Sequence, residues 1–208
     1  MKSDELVGIL KDRGMAVLTL ADATRITGKS AKYTSLFLSR LANKGAIKRI
    51  EKGKYYLNGA GVYAIASNII YPSYISLLSA FRYHNLTTQI ITTVDVISTR
   101  RHKKIDNVEE HTINFISTKR EKMFGFYRDR DTGAFVAYVE KAIIDSLYLR
   151  NPPYHYVEEA FVKATDAGMI NFDRLAQFAA RMRSHELTKR LKALMMSAEE
   201  EHNRIRGA

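Results

Sequence analysis

The side chains best suited to chemistry lie between residues 29 and 54, where hydroxyl groups and cations alternate with apolar residues at helical spacing. Hydroxyl, guanidinium and ammonium groups donate hydrogen bonds, and such donors contact base edges and phosphate oxygens of nucleic acids. The grouping of these donors on one face predicts a surface that binds double-stranded DNA. The predicted contact residues are Lys29, Ser30, Lys32, Tyr33, Ser35, Arg40, Lys48, Arg49, Lys52 and Lys54.

The segment that holds these residues is predicted to fold as helix, turn, helix and hairpin. Apolar residues recur at helical spacing from residue 20 to residue 26, and Gly28 permits the turn that follows. Ser30 is a good N-cap for the second helix, and Gly45 is a good residue to end it. Two β-prone runs within residues 47–57 then flank a turn. This order is typical of a winged helix-turn-helix, in which the second helix enters the major groove of DNA.

The second helix is predicted to bury one side, because apolar residues recur there at spacings of three and four. The opposite side carries Lys32, Ser39 and Asn43, which should face DNA or solvent. Leu36 also falls on this outward side, where an apolar residue is not expected. A small helical domain with a solvated basic face is the alternative interpretation. The residues predicted to point inward are Thr34, Phe37, Leu38 and Leu41.

The net charge of the 208-residue chain is +11, and it is unevenly distributed. Residues 1–58 carry 12 Lys and Arg against 5 Asp and Glu, a net charge of +7. The rest of the chain carries 21 against 17, a net charge of +4. Because the release of counterions from phosphates drives DNA binding by cationic proteins, this concentration of charge supports the DNA-binding interpretation.

The composition excludes several other classes of protein. A hydrophobic fraction of 46% is that of a folded globular chain. The sequence has no cysteine, which excludes disulfides, thiolate metal sites and thiol chemistry. The N-terminal residues are polar, and no apolar run approaches the length of about 18 residues that a membrane span needs. We therefore expect a cytoplasmic protein that does not contact a membrane.

The remaining pattern suggests two domains. A first helix is predicted at residues 4–13, and the apolar run at residues 15–18 could pair with the hairpin as a third strand. A turn and a short connecting helix at residues 62–68 follow the hairpin. We therefore expect a winged helix-turn-helix domain at residues 1–58 and a second domain at residues 59–208.

The second domain is predicted to be α+β, with antiparallel strands and a helical C-terminal tail. A helix should start at Pro72 or Ser73, because apolar residues recur behind it at helical spacing. The segments predicted to be strands are residues 87–99 and 112–117, with a hairpin at residues 124–137. The segments predicted to be helices are residues 139–150, 157–167, 171–183 and 186–202.

Two blocks in the second domain carry a resemblance to a known family. Residues 71–80 read Tyr-Pro-Ser-Tyr-Ile-Ser-Leu-Leu-Ser-Ala, with Leu-Thr-Thr-Gln at residues 86–89. Residues 140–148 read Glu-Lys-Ala-Ile-Ile-Asp-Ser-Leu-Tyr. In this order, behind a winged helix-turn-helix, the blocks resemble AbiEi-type antitoxin regulators of abortive-infection, type IV toxin–antitoxin systems. The resemblance covers nearly the whole chain.

The resemblance also implies a function. It implies an antitoxin of a viral-defence operon that represses its own transcription by binding inverted repeats in operator DNA. It further implies a cognate AbiEii toxin, a nucleotidyltransferase-like protein encoded beside the antitoxin. The resemblance also implies that the antitoxin opposes the effect of the toxin without forming a stable complex with it. An oligomer is compatible with repeated operator sites, and the sequence leaves the oligomeric state open.

Enzymatic and metal chemistry find little support in the sequence. Glu109, Glu110 and His111 adjoin one another with His102 nearby, but adjacent strand residues point to opposite faces and no tight ligand spacing occurs. A solvated surface is therefore favoured, and we predict neither a metal nor a cofactor. Because the sequence has no Gly-rich phosphate loop and no Ser-His-Asp arrangement, we predict no enzyme.

A second basic run follows the first predicted strand of the second domain. It can be an exposed strand-end loop, or it can contact the DNA backbone or an acidic partner such as the toxin. Its candidate contact residues are Arg100, Arg101, Lys103 and Lys104.

Three functions are therefore distinguished. The first is an antitoxin repressor. The second is a stand-alone winged-helix transcription factor whose C-terminal domain senses a ligand or forms a dimer. The third, an enzyme fused to a DNA-binding module, would need a catalytic constellation that the sequence does not offer.

Overall fold

A computed structural model describes residues 2–206, with side chains described as far as residue 200. Within these limits the chain is a mixed α+β protein with two sheets. The first elements are α1 (Ser3–Asp12), β1 (Val17–Thr19), α2 (Leu20–Thr27), α3 (Ala31–Asn43), β2 (Ile47–Glu51), β3 (Lys54–Leu57) and α4 (Val62–Asn68).

The elements that follow build the larger part of the molecule. The strands are β4 (Ser73–Ile75), β5 (Thr93–Ser98), β6 (Ile105–Val108), β7 (His111–Ser117), β8 (Phe126–Arg128) and β9 (Phe135–Ala137). The helices are α5 (Leu77–Tyr83), a 3-10 turn (Arg120–Lys122), α6 (Val139–Leu149), α7 (Tyr154–Asp166), α8 (Phe172–Arg181) and α9 (His185–Arg206).

The first sheet is antiparallel, with the strand order β1-β3-β2. β2 and β3 form a hairpin, and β1 pairs with the other side of β3, where Val17 lies opposite Tyr56. The predicted hairpin and the predicted third strand are therefore confirmed. An apolar cluster joins α1, α2 and α3 to this sheet, and its most deeply buried members are Leu6, Leu10, Leu18, Ala23, Leu38, Leu41 and Ile47.

The second sheet is mixed, with the strand order β6-β7-β5-β4-β9-β8. The prediction of antiparallel strands was wrong for two pairings, because β5 pairs with β7 and β4 pairs with β9 in parallel. The first of these follows from β6, a short strand that the sequence pattern did not indicate. β6 runs along the outer edge, antiparallel to β7, so the chain returns beside β5 in the same direction as β5.

The predicted helix start at Pro72 or Ser73 was also wrong. Residues 73–75 form the central strand β4, in which Tyr74 and Ile75 are fully buried, and the helix begins only at Leu77. A strand buried on both faces presents a continuous apolar run, and such a run cannot be told from a buried helix by periodicity alone. The predicted strand at 87–99 is likewise confined to β5.

Helix α6 forms the centre of the second region, the part of the chain from residue 59 to residue 206. The sequence predicted an amphipathic helix, but nine of its eleven residues are buried, because α5, α7, α8 and α9 all pack against it. The predicted C-terminal helices are confirmed, and they surround α6 instead of forming a separate tail. Three ionisable residues of α6, Glu140, Lys141 and Asp145, are thereby enclosed.

The charges of Lys141 and Asp145 neutralise each other inside the protein. Lys141 donates a hydrogen bond to Asp145, and the two side chains are 0% and 4% exposed. The hydroxyls of Tyr74 and Ser76 also donate to Asp145, at 3.0 and 2.9 Å. Burial lowers the pKa of Lys141, and the adjacent Asp145 carboxylate acts in the opposite direction. The pair therefore binds α6 to β4.

Glu140, the third buried ionisable residue of α6, holds α8 against α6 by accepting hydrogen bonds. Its Oε1 accepts hydrogen bonds from the backbone N–H of Asn171 at 2.7 Å and from Arg174 at 2.8 Å. Asn171 is itself the N-cap of α8, and its side chain accepts from the Arg174 backbone N–H. A carboxylate at this position meets the positive end of the helix dipole.

Replacing Lys141 with methionine should destabilise the protein strongly. The change leaves Asp145 charged and buried without its partner, and breaking a buried pair in this way costs about 3–5 kcal/mol. Urea denaturation of the wild type and Lys141→Met measures the difference in the free energy of unfolding.

Lys163→Met is the matched control, since Lys163 pairs with Glu159 at the same helical spacing but on the surface. An exposed pair contributes about 0.2–1 kcal/mol. Equal losses for the two variants would contradict the role assigned to the buried pair.

Candidate nucleic-acid interface

Helices α2 and α3 are held at a fixed geometry by the turn between them. Gly28 has a φ of +65°, a conformation that favours glycine, and it ends α2 by donating to the Thr24 carbonyl. Ser30 caps α3, and its Oγ accepts from the Tyr33 backbone N–H at 3.3 Å. The hydroxyls of Thr27 and Thr34 lie 3.2 Å apart and connect the two helices.

The two faces of α3 are divided as the sequence predicted. Thr34, Leu38 and Leu41 are buried, and Phe37 is half-buried against the same apolar cluster. The outward face is polar and positively charged, apart from Leu36. The predicted contact residues Lys29, Ser30, Lys32, Tyr33, Ser35 and Arg40 are all exposed on or just before α3.

The hairpin places further cations beside the helix. Gly53, with a φ of +76°, forms the turn, and the exposed Lys52 stands at its tip. Arg49 is exposed and donates through Nε to the Glu51 carbonyl at 3.3 Å. Lys54 is partly buried and forms an ion pair with Glu51 at 2.8 Å, so it is the least available of the predicted hairpin cations.

The hairpin also contacts the edge of the second sheet. Lys48 on β2 donates to Glu109, in the turn between β6 and β7, at 2.6 Å. His102 lies 3.3 Å from Glu51. Burial alone would raise the pKa of Glu51, but Lys54 and His102 outweigh it, and the net effect lowers this pKa.

These contacts bring the two predicted cationic segments together. The loop between β5 and β6 lies beside the hairpin because His102, in the middle of that loop, contacts Glu51. Lys104 in the same loop pairs with Asp106 at 3.2 Å on the surface. The candidate residues of the loop, Arg100, Arg101, Lys103 and Lys104, are all exposed.

Glu109 is a feature of this surface that the sequence interpretation missed. Together with Glu110 it forms a two-residue turn in which φ is +46° and +65°, the conformation of a type I′ hairpin. Hydrogen bonding by Lys48 and then by Tyr56 lowers the pKa of Glu109, whereas burial and Glu109 raise the pKa of Tyr56 to about 12. The strand predicted at residues 112–117 was the one signal beside this turn, since the pattern of residues 105–108 does not indicate a strand.

The described part of the chain offers little for other chemistry. Between residues 2 and 200, no three His, Asp or Glu side chains are grouped so that they could hold a metal ion. Each helix between residues 2 and 206 is too short or too polar to cross a lipid bilayer. The outward face of α3, the hairpin and the adjacent loop therefore form the candidate site.

Residues 10–58 match the model of a protein family described as "Transcriptional regulator, AbiEi antitoxin". The match confirms, over this segment, the resemblance drawn from the sequence. It contains α2, α3 and the hairpin, whereas the blocks at residues 71–89 and 140–148 lie outside it. A comparison with curated proteins finds no match.

Replacing Glu110 with glycine should stabilise the protein by about 1 kcal/mol, because a side chain in the left-handed region costs about that much. Thermal or urea denaturation measures the gain. Glu109→Gly is the matched control: it relieves the same backbone conformation but removes the partner of Lys48, so its gain should be smaller. A loss of stability in Glu110→Gly would contradict this account of the turn.

Proposed function

We propose that the chain is a DNA-binding transcriptional repressor that acts as the antitoxin of a type IV toxin–antitoxin operon. In this proposal residues 1–58 form a winged helix-turn-helix domain and residues 59–208 form a regulatory domain. The observation that carries the proposal is the outward face of α3, which presents exposed cations and hydroxyls beside a cationic hairpin. The match of residues 10–58 to the AbiEi antitoxin family supports it.

Helix α3 would enter the major groove. An α-helix with its side chains is about 10–12 Å wide, and the major groove of B-DNA is about 12 Å wide. Tyr33, Ser35 and Arg40 would donate hydrogen bonds to base edges, and Arg40 could donate two to a guanine. Lys29, just before α3, and Lys32, in its first turn, would contact phosphates on the groove wall.

The hairpin would act as the wing and bind the sugar–phosphate backbone. Lys52 and Arg49 are exposed and can each contact a phosphate as they stand, whereas Lys48 and Lys54 must first exchange a carboxylate partner. The loop with Arg100 and Arg101 would extend this contact along the backbone, since it lies against the hairpin.

The antitoxin part of the proposal concerns the regulatory domain. The family description and the blocks at residues 71–89 and 140–148 support it. We infer that the protein binds inverted repeats in its own operator. It would counteract the effect of a nucleotidyltransferase-like toxin without forming a stable complex with that toxin. Co-expression with a nucleotidyltransferase-like gene adjacent to the coding sequence, scored as recovery of growth, tests this part separately.

Gel-shift titration with DNA from upstream of the coding sequence should show binding about a thousandfold tighter than to a scrambled duplex. The affinity should fall steeply with salt, because each neutralised phosphate releases counterions. Lys52→Ala and Arg101→Ala should each weaken binding to all duplexes and reduce the log–log salt slope by about 1.

Lys163→Ala is the control for these variants, as it removes one partly exposed charge on α7, outside the proposed interface. Weak binding that does not distinguish operator from scrambled DNA would refute the repressor. An Arg101→Ala slope equal to that of the wild type would remove the loop from the interface and leave the hairpin in place.

Glu109→Gln should increase affinity for DNA, because it releases Lys48 to bind phosphate. An exposed ion pair contributes about 0.2–1 kcal/mol, so the expected gain is about 1.4- to fivefold. Glu110→Gln removes the same charge from the neighbouring residue without releasing Lys48, and it serves as the control in the same titration. Equal gains for both variants would show that net charge alone is responsible.

A further inference from the structure

Leu36 is the one apolar residue in the middle of the outward face of α3. Its side chain is 56% exposed, and it lies outside the apolar cluster that α3 shares with α1, α2 and the first sheet. At helical spacing its neighbours on the face are Lys32 and Arg40, four residues away, and Tyr33 and Ser39, three residues away. Leu36 is therefore an apolar group surrounded by hydrogen-bond donors.

Exposure alone would not distinguish Leu36, since single apolar residues are common on protein surfaces. Its position distinguishes it, because two of its neighbours, Tyr33 and Arg40, are among the residues proposed to contact base edges. Tyr33 is the other large apolar group on this face, and its ring stacks on Phe37 with centroids 6.4 Å apart. Tyr33 is 49% exposed and has an aromatic partner within α3, whereas Leu36 packs against no apolar cluster of the described residues.

The chemistry of the major groove offers one partner for such a side chain. Base edges there present hydrogen-bond donors and acceptors, and the only apolar group is the C5 methyl of thymine. The surrounding cations fit the negative potential of DNA, whereas they would oppose the burial of this face against a second copy of the same cationic surface.

We propose that Leu36 determines sequence specificity by packing against the C5 methyl of a thymine in the operator. The inference rests on the proposed function, in which α3 lies in the major groove. Ser35 and Arg40 would read the polar edges of the adjacent base pairs, and Leu36 would discriminate thymine from cytosine between them.

The test replaces thymine with deoxyuridine, one position at a time, in the upstream DNA that the wild type binds. Deoxyuridine lacks only the C5 methyl, so base pairing is unchanged. When deoxyuridine occupies one particular position in either of the inverted repeats, the wild type should bind the operator about fourfold more weakly, as expected for one buried methyl group. Leu36→Ala should bind the thymine operator more weakly and show no further loss with deoxyuridine.

Two controls separate this effect from others. Ile90→Ala removes an apolar side chain that is 92% exposed and lies outside residues 1–58, and it should keep the fourfold discrimination. Alanine is the best helix former, so Leu36→Ala should keep α3 folded, which circular dichroism checks.

The outcomes distinguish the inference from the proposed function. Specific binding by the wild type that is indifferent to deoxyuridine at every position would overturn the role of Leu36 and leave the repressor standing. The role of Leu36 would also be overturned if Leu36→Ala kept the thymine preference of the wild type. That conclusion would hold whether or not Leu36→Ala changed the oligomeric state. Absence of any specific binding would refute both.

Discussion

The packing of the second region depends on pairing each buried charged side chain of α6 with a partner. A helix that carries glutamate, lysine and aspartate can be surrounded on all sides only if each charge meets a partner, because an unpaired buried charge is very costly. Asp145 obtains Lys141 and two hydroxyls from the β4 end, and Glu140 obtains Arg174 and the start of α8. These pairings specify which elements must pack against α6.

The same core reaches into the N-terminal part of the chain. Val17 and Tyr56 of the first sheet, with Ala16 just before β1, belong to the larger apolar cluster and not to the smaller one under α3. Arg128 also donates to the Gly14 carbonyl at 2.9 Å, across the same junction. Some side chains of the first sheet therefore pack in the larger apolar cluster and others in the smaller one. This arrangement couples the position of the hairpin to the packing of the second region.

Local patterns predicted the candidate site better than the centre of the second region. The faces of α3 were predictable because helical periodicity and burial coincide there, with Thr34 and Leu38 inside and Lys32 outside. β4 and α6 were misinterpreted because a segment buried on both faces loses the polar half of its pattern. The Lys48–Glu109 contact joins residues 61 positions apart and depends on sheet topology, so no spacing in the sequence could indicate it.

The contacts of the hairpin with the second sheet also affect the thermodynamics of recognition. A free β-hairpin tip samples many orientations, and a ligand that selects one of them must offset the lost entropy. Here Glu109 contacts Lys48 in β2, and His102 contacts Glu51 next to the turn, so both restrain the hairpin before any ligand is present. The position of the hairpin relative to the second sheet is therefore largely set within the folded chain, and a ligand that binds the hairpin has less conformational entropy to offset.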